Sequence, residues 1–199
     1  MRIISGKYRG KRLMAPKKLP VRPTTDVAKE ALFNILENHF YLQDVSVLDL
    51  FSGTGNISYE FASRGAHSIT CVDMHAGCIQ FIQKTSKELD MPLRVIRSDV
   101  FRFLDKSRSG TDIIFADPPY DMSHEEFAKI PELVFANELL EEEGFLIVEH
   151  SKFTNMEHLP FFSFARKYGN CVFSFFEWPD EDESDEEEEN QEKSPLRIV

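Results

Sequence analysis

The stretch VLDLFSGTG, Val47 to Gly55, decides how the rest of the chain is read. Val45 to Phe51 is a short apolar run of strand length, and Gly53 and Gly55 stop it before a helical pattern begins near Asn56. That helix runs to Arg64, where Gly65 ends it. The same alternation continues downstream. Strands are expected at Ser68 to Val72, Leu93 to Ile96, Asp112 to Ala116 and Phe145 to Glu149. Helices are expected at His75 to Leu89, Val100 to Lys106 and His124 to Glu143, the last broken near Pro131. Strands separated by helices of this length form βαβ units, hence a parallel sheet with both faces covered. The strands are apolar almost throughout, as doubly covered strands are.

Upstream, Thr25 or Asp26 can cap an amphipathic helix reaching about Tyr41, with Ala28, Ala31, Leu32, Ile35, Leu36 and His39 at helical spacing. Downstream, Phe161 to Arg166 and Cys171 to Glu177 flank the turn residues Lys167 to Asn170. They predict a β-hairpin at the sheet edge.

Charge divides the chain further. The formal net charge is −11, yet residues 1–22 carry eight basic and no acidic side chains, whereas residues 180–199 carry ten acidic and two basic ones. Three parts are therefore expected: a basic N-terminal arm (1–24), a single catalytic-sized domain (25–179) and an acidic disordered tail (180–199). The arm shows short alternation at Ile3, Ile4, Tyr8 and Leu13, suited to a small hairpin. Its cations can displace counterions from nucleic-acid phosphates, and Tyr8 can stack on a base. The tail either solubilises the protein or folds back over the arm and screens it. At 42% hydrophobic residues the chain can bury a core. No apolar run is long enough to cross a bilayer and no signal peptide is evident, which predicts a cytoplasmic protein. Cys71, Cys78 and Cys171 lack metal or redox spacing and read as buried apolar residues, and the six histidines form no ligand pattern; no metal is expected.

In an open parallel sheet, ligands sit beyond the carboxyl ends of the strands. Four such ends carry candidate residues here: Asp49 to Gly55, Asp73, Asp99, and the tetrapeptide Asp117-Pro118-Pro119-Tyr120. Gly53 and Gly55 let a ligand approach the backbone, and an acidic residue about 20 positions on suits ribose hydroxyls. A nicotinamide dinucleotide site would place a third glycine where Ser58 stands. Asp49, four residues before Gly53, would repel a pyrophosphate, but it can receive the cationic amino-acid end of S-adenosylmethionine. In DPPY, the Asp117 carboxylate and the Pro118 carbonyl can accept both N–H hydrogens of an exocyclic nucleobase amine, holding its nitrogen toward a sulfonium methyl while Tyr120 stacks on the flipped base.

The sequence resembles the class I S-adenosylmethionine-dependent methyltransferases that modify amines. Through RIISGKYRGKRL (Arg2 to Leu13), RPTTDVAKEALFNIL (Arg22 to Leu36), VLDLFSGTGNISYEFASRGA (Val47 to Ala66) and DPPY, it resembles one family among them, the bacterial 16S ribosomal RNA (guanine-N2)-methyltransferases known as RsmD. The resemblance covers residues 1 to about 178; the acidic tail lies outside it. It implies a Rossmann-like α/β fold with a seven-stranded, mostly parallel sheet and a C-terminal β-hairpin, and methylation of a guanine N2 amine in 16S rRNA of the 30S subunit or its assembly intermediate. It further implies that Asp49, Phe51, Gly53, Gly55, Asp73, Asp99 and Thr24 hold the cofactor. Asp117, Pro118, Pro119 and Tyr120 would hold the base. Lys7, Arg9, Lys11, Arg12, Lys17, Lys18 and Arg22 are the expected RNA contacts of a monomer. Other substrates with amine or amide nitrogens, in DNA, in another RNA or in a protein glutamine, fit related loops, although a core of this size leaves no room for a DNA-recognition domain. A non-catalytic RNA-binding assembly factor is the reading from a different class.

Overall fold

The computed structural model describes residues 1–16, 18–19 and 24–179. Lys17, Arg22 and the acidic tail therefore lie outside the described residues. Seven strands form one sheet: β1 (Ser46–Leu50), β2 (Ser68–Asp73), β3 (Leu93–Arg97), β4 (Thr111–Ala116), β5 (Leu140–Ser151), β6 (Phe162–Tyr168) and β7 (Cys171–Phe176). Their order is β3-β2-β1-β4-β5-β7-β6. The first five are parallel and β7 runs antiparallel between β5 and β6, which makes the terminal hairpin the sheet edge. The strand order reverses between β1 and β4, and a crevice opens there at their carboxyl ends.

Five helices cover the sheet: α1 (Asp26–His39), α2 (Asn56–Arg64), α3 (Ala76–Glu88), α4 (Val100–Lys106) and α5 (His124–Ala136). Consecutive strand residues point to opposite faces, so Val47 joins a core with Leu32, Phe33, Leu36 and Phe61, while Leu48 joins one with Val100, Leu104, Ile130 and Val134. Each fully buried side chain of this size is worth about 1.5–3 kcal/mol, so both layers are held chiefly by the hydrophobic effect. Local signals fix the ends. Thr25 caps α1 by accepting from the Ala28 N–H (3.2 Å), and Gly65 ends α2 at φ 100°.

Three expectations are corrected. First, α1 stops at His39, because Phe40 turns to extended backbone (φ −130°) and lays its ring edge-on to Phe145. Second, α5 passes unbroken through Pro131. One missing backbone hydrogen bond and its ring clash cost about 3 kcal/mol, which the burial of Phe127, Ile130 and Val134 offsets. Third, Leu140–Glu143 is strand and not helix. Leu140 pairs with Thr111, the register then shifts, and Glu141, Glu142 and Glu143 stand exposed ahead of the buried Phe145–His150 run. Tertiary pairing overrides the helical preference of the Leu-Glu-Glu-Glu segment.

The N-terminal segment closes as a hairpin-like turn, with Arg2 bridging Arg12. Ile3 and Leu13 are buried in the same core as Phe33 and Phe61. Polar contacts lock the segment onto α2. The backbone N–H groups of Ile4 and Ser5 donate to Glu60 (2.8 and 2.9 Å), and those of Lys7 and Tyr8 donate to the carbonyl and hydroxyl of Ser63. Glu60 is itself fully buried with Lys29 (3.5 Å) and accepts from Arg64 (2.9 Å). Burial lowers the Lys29 pKa against the pull of Glu60.

Candidate functional site

A cavity of about 1170 Å3 opens over the carboxyl ends of β1, β2 and β4, larger than the roughly 300–1,000 Å3 usual for one small ligand. Thr24, Asp49, Phe51, Gly53, Asp73, Asp99 and all of Asp117 to Tyr120 line it. Of the expected cofactor residues only Gly55 stands behind this wall. It is the N-terminal cap residue of α2 at φ 81°, and a β-carbon there would lie 3.0 Å from the Tyr59 ring and 3.1 Å from Ile82. The turn therefore needs glycine both for its backbone angle and for its packing.

Asp49 belongs to β1 and is almost wholly buried, at 2% exposure. Its Oδ2 accepts from the backbone N–H of Ser58 (3.2 Å) and from the Ser58 hydroxyl. Ser58, standing where a dinucleotide site would carry its third glycine, thus anchors the carboxyl below the loop. Desolvation pushes the Asp49 pKa up to about 7, against the Ser58 hydrogen bonds and with a small further rise from the Asp73 charge. A cationic group bound above it would favour the ionised form, so the site suits an ammonium and not a pyrophosphate.

Phe51 holds φ 55°, strained for a residue with a β-carbon, in the same turn as Gly53 at φ 53°. Asp73 ties this turn to the end of β2: Oδ2 accepts from the Gly53 N–H (2.8 Å) and Oδ1 from the His75 N–H (2.7 Å). Each oxygen keeps a second lone pair for a ribose hydroxyl. Asp99 caps α4, accepting from the Arg102 N–H at 3.0 Å. Phe51 and Phe101, edge to face at 6.3 Å, supply apolar wall beside these acids.

Across the cavity, the Asp117 N–H donates to Leu50 O (3.4 Å), carrying the β1–β4 ladder one residue into the tetrapeptide. Pro118 is buried, and Pro119 and Tyr120 are exposed, Tyr120 at 42%. The turn closes through the Met122 N–H to Pro119 O bond of 3.0 Å. The tyrosine hydroxyl reaches Glu149 Oε1 at 3.4 Å, and Thr24 Oγ1 donates to Glu149 Oε2 at 2.7 Å. Glu149 and Asn56, the latter donating to Thr24 O (3.2 Å), were not foreseen from sequence. The available signal was an isolated glutamate closing an otherwise apolar strand, Phe145 to Val148.

The hairpin's basic side chains do not line the cavity. Met1 lies near Thr54 at the cavity (Sδ to Oγ1, 3.9 Å), but the turn around Lys7 and Tyr8 docks at the far end of α2 and, through the Tyr8 hydroxyl, on Leu89 O at the end of α3. At about 1.5 Å per residue, the nine residues of α2 put Lys7 and Arg9 roughly 13 Å along the domain from the cavity. The Tyr8 hydroxyl is committed to that docking contact, which fixes the ring at the end of α3. Lys7, Arg9, Lys11, Arg12 and Lys18 are all exposed. No group of three side chains able to hold a metal occurs among the described residues, and no helix there is long and apolar enough to cross a membrane.

The reversed strand order, the acid-lined cavity and the DPPY turn define a class I S-adenosylmethionine-dependent methyltransferase. The sequence profile of the family described as conserved hypothetical protein 95 matches residues 1–177. The Bacillus subtilis protein YlbH is 35% identical over 157 residues, 76% of this chain and 83% of that one. Ribosomal RNA small subunit methyltransferase D of Escherichia coli K12 is 36% identical over 121 residues, 60% of this chain and 60% of that relative. Among solved structures, the Escherichia coli protein yhhF aligns with a TM-score of 0.79 at 26% identity, covering 90% of this chain and 99% of that one. The chain belongs to this family, the RsmD family.

Proposed function

We propose that the protein methylates the N2 amine of a guanine in 16S rRNA, taking the 30S subunit or an assembly intermediate as a monomer, with the base flipped into the DPPY side of the cavity. The relative named ribosomal RNA small subunit methyltransferase D supports the RNA class. The observation that carries the reaction is Asp117, which the β1–β4 ladder holds on the cavity wall opposite Asp73 and beside Asp49.

S-adenosylmethionine bound here supplies an electrophilic methyl group on a positively charged sulfur. Asp49 neutralises the ammonium end and Asp73 and Asp99 receive the ribose and adenine side, while Thr24 and Phe51 close the rim. Asp117 and the Pro118 carbonyl accept the two N–H hydrogens of the base amine, which concentrates its lone pair on nitrogen. The Asp117 carboxylate is placed to take the proton released from the amine as its nitrogen gains the methyl group, the methyl–sulfur bond breaks and S-adenosylhomocysteine leaves. Pro119 stiffens the turn, and the exposed Tyr120 ring can stack on the base. Lys7, Arg9, Lys11, Arg12 and Lys18, with Lys17 and Arg22 of the same segment, supply sequence-independent affinity for phosphates.

The test uses purified protein, labelled S-adenosylmethionine and 30S particles from cells lacking this modification, with mass mapping of the product. One N2-methylguanine in 16S rRNA is the expected result. Label on another base, or none in RNA, overturns the proposal.

A further inference from the structure

Glu149 is a charged residue on an apolar central strand. Its neighbours Ile147 and Val148 are fully buried, it is itself 3% exposed, and its backbone is paired with Phe173 on β7. A carboxylate at such a place is costly unless its oxygens are hydrogen-bonded. Each oxygen has a separate partner at the cavity rim: Oε2 takes the Thr24 hydroxyl at 2.7 Å and Oε1 the Tyr120 hydroxyl at 3.4 Å. Thr24 belongs to the segment that leads out of the basic hairpin, and Tyr120 belongs to the base-holding turn. The contacts continue inward. Thr24 O accepts from Asn56 Nδ2, Asn56 Oδ1 accepts from Lys29 Nζ (2.9 Å), and Lys29 Nζ also donates to Arg2 O (2.7 Å). A buried polar chain thus joins the hairpin to the DPPY tyrosine, and the rigid β5 backbone gives it a fixed anchor.

We infer that Glu149 is a positioning residue for methyl transfer, holding the Tyr120 hydroxyl and Thr24 together so that the Tyr120 ring stands at a fixed angle over the incoming base. The inference rests on the proposed function for its kinetic readout. It requires no contact between Glu149 and the substrate. The tyrosine ring provides the stacking surface, and the carboxylate fixes where that surface lies.

Tyr120→Phe keeps the ring and removes the tie, whereas Glu149→Met replaces the anchor with an apolar side chain of similar length. Each is expected to lower kcat on 30S particles about tenfold, because misplacement by a fraction of an ångström is enough to lose that much. Binding of S-adenosylhomocysteine, measured by calorimetry, should stay at the wild-type level in Tyr120→Phe. The double variant should be no slower than the slower single one, since both remove the same contact. A wild-type kcat in Tyr120→Phe, or losses that multiply in the double variant, overturns the assignment. If Glu149→Met does not fold, Tyr120→Phe decides alone. A second readout needs no RNA. With ring-labelled tyrosine, the Tyr120 NMR signals, identified by their loss in Tyr120→Phe, should shift in Glu149→Met while those of Tyr168 do not. Should wild-type protein fail to methylate 30S particles, the proposed function falls, and an unmoved Tyr120 signal would overturn the Glu149 role independently.

Discussion

Asp49 and Ser58 share one hydrogen-bonded junction beneath the glycine turn, the serine giving both its N–H and its hydroxyl to the same carboxylate oxygen. Because burial holds the Asp49 pKa near 7, well above the ordinary value of 3.8, the folded protein binds one more proton than the unfolded chain between those two pH values. Stability should therefore fall as pH rises from about 4 to about 7, then level off in this respect. A cationic cofactor favours the ionised carboxylate, so its affinity should weaken toward tenfold per pH unit below pH 7, with uptake of cofactor releasing a proton. Calorimetry of S-adenosylhomocysteine binding in buffers of different ionisation enthalpy measures that proton. Asp49→Asn should abolish the release, and a pH-independent affinity in wild-type protein contradicts the role given to Asp49.

Asp117 lines the cavity, and its backbone N–H is bonded to Leu50 O just past the β1–β4 pairing. Asp117→Ala is expected to reduce methyl transfer by about 10²–10³-fold, the scale of losing one group that stabilises developing charge. Cofactor affinity should change little. Equal losses in both would reassign the residue to the cofactor.

Lys29 and Glu60 form a buried pair with neither side chain exposed. Lys29→Met leaves Glu60 with the Arg64 guanidinium and two backbone donors but removes its internal cation, so a destabilisation of about 3 kcal/mol is expected. For a domain of this size that lowers Tm by roughly 6–12 °C, readable by calorimetric melting. Proteolysis should cut first near Arg9, because Lys29 also holds Arg2 O.

Neutralising Lys7, Arg9, Lys11 and Arg12 together should raise KM for 30S particles and flatten its dependence on salt. Each lost phosphate contact is expected to reduce the logarithmic slope by about 0.7–0.9. An unchanged slope would remove the hairpin from the RNA footprint.

Much of the α/β frame was legible because both faces of each central strand are covered, which makes Ile113–Ala116 stand out as an apolar run between two acids and Val47–Phe51 as one interrupted by Asp49 alone. Asp49, Asp73, Asp99 and Asp117 were legible for a related reason: each closes or follows a strand whose end the topology carries to one crevice. Glu149, Asn56 and Lys29 were not, because their meaning depends on distant partners. Thr24 and Glu149 are 125 residues apart in sequence, and no local period links them. Leu140–Glu143 was misread for the complementary reason, since its helical preference is local and its pairing with β4 is not.

Ile3 and Leu13 lie in the same core as Phe33 and Phe61, and Glu60 of α2 closes on the backbone of Ile4 and Ser5. The cationic hairpin is thereby also a part of the scaffold that holds α2, the helix behind the glycine turn. It cannot be exchanged like a cassette or inherited separately from the catalytic layer. Drift in its exposed cations leaves that packing untouched, while drift in its apolar and backbone contacts is answerable to the stability of the whole enzyme.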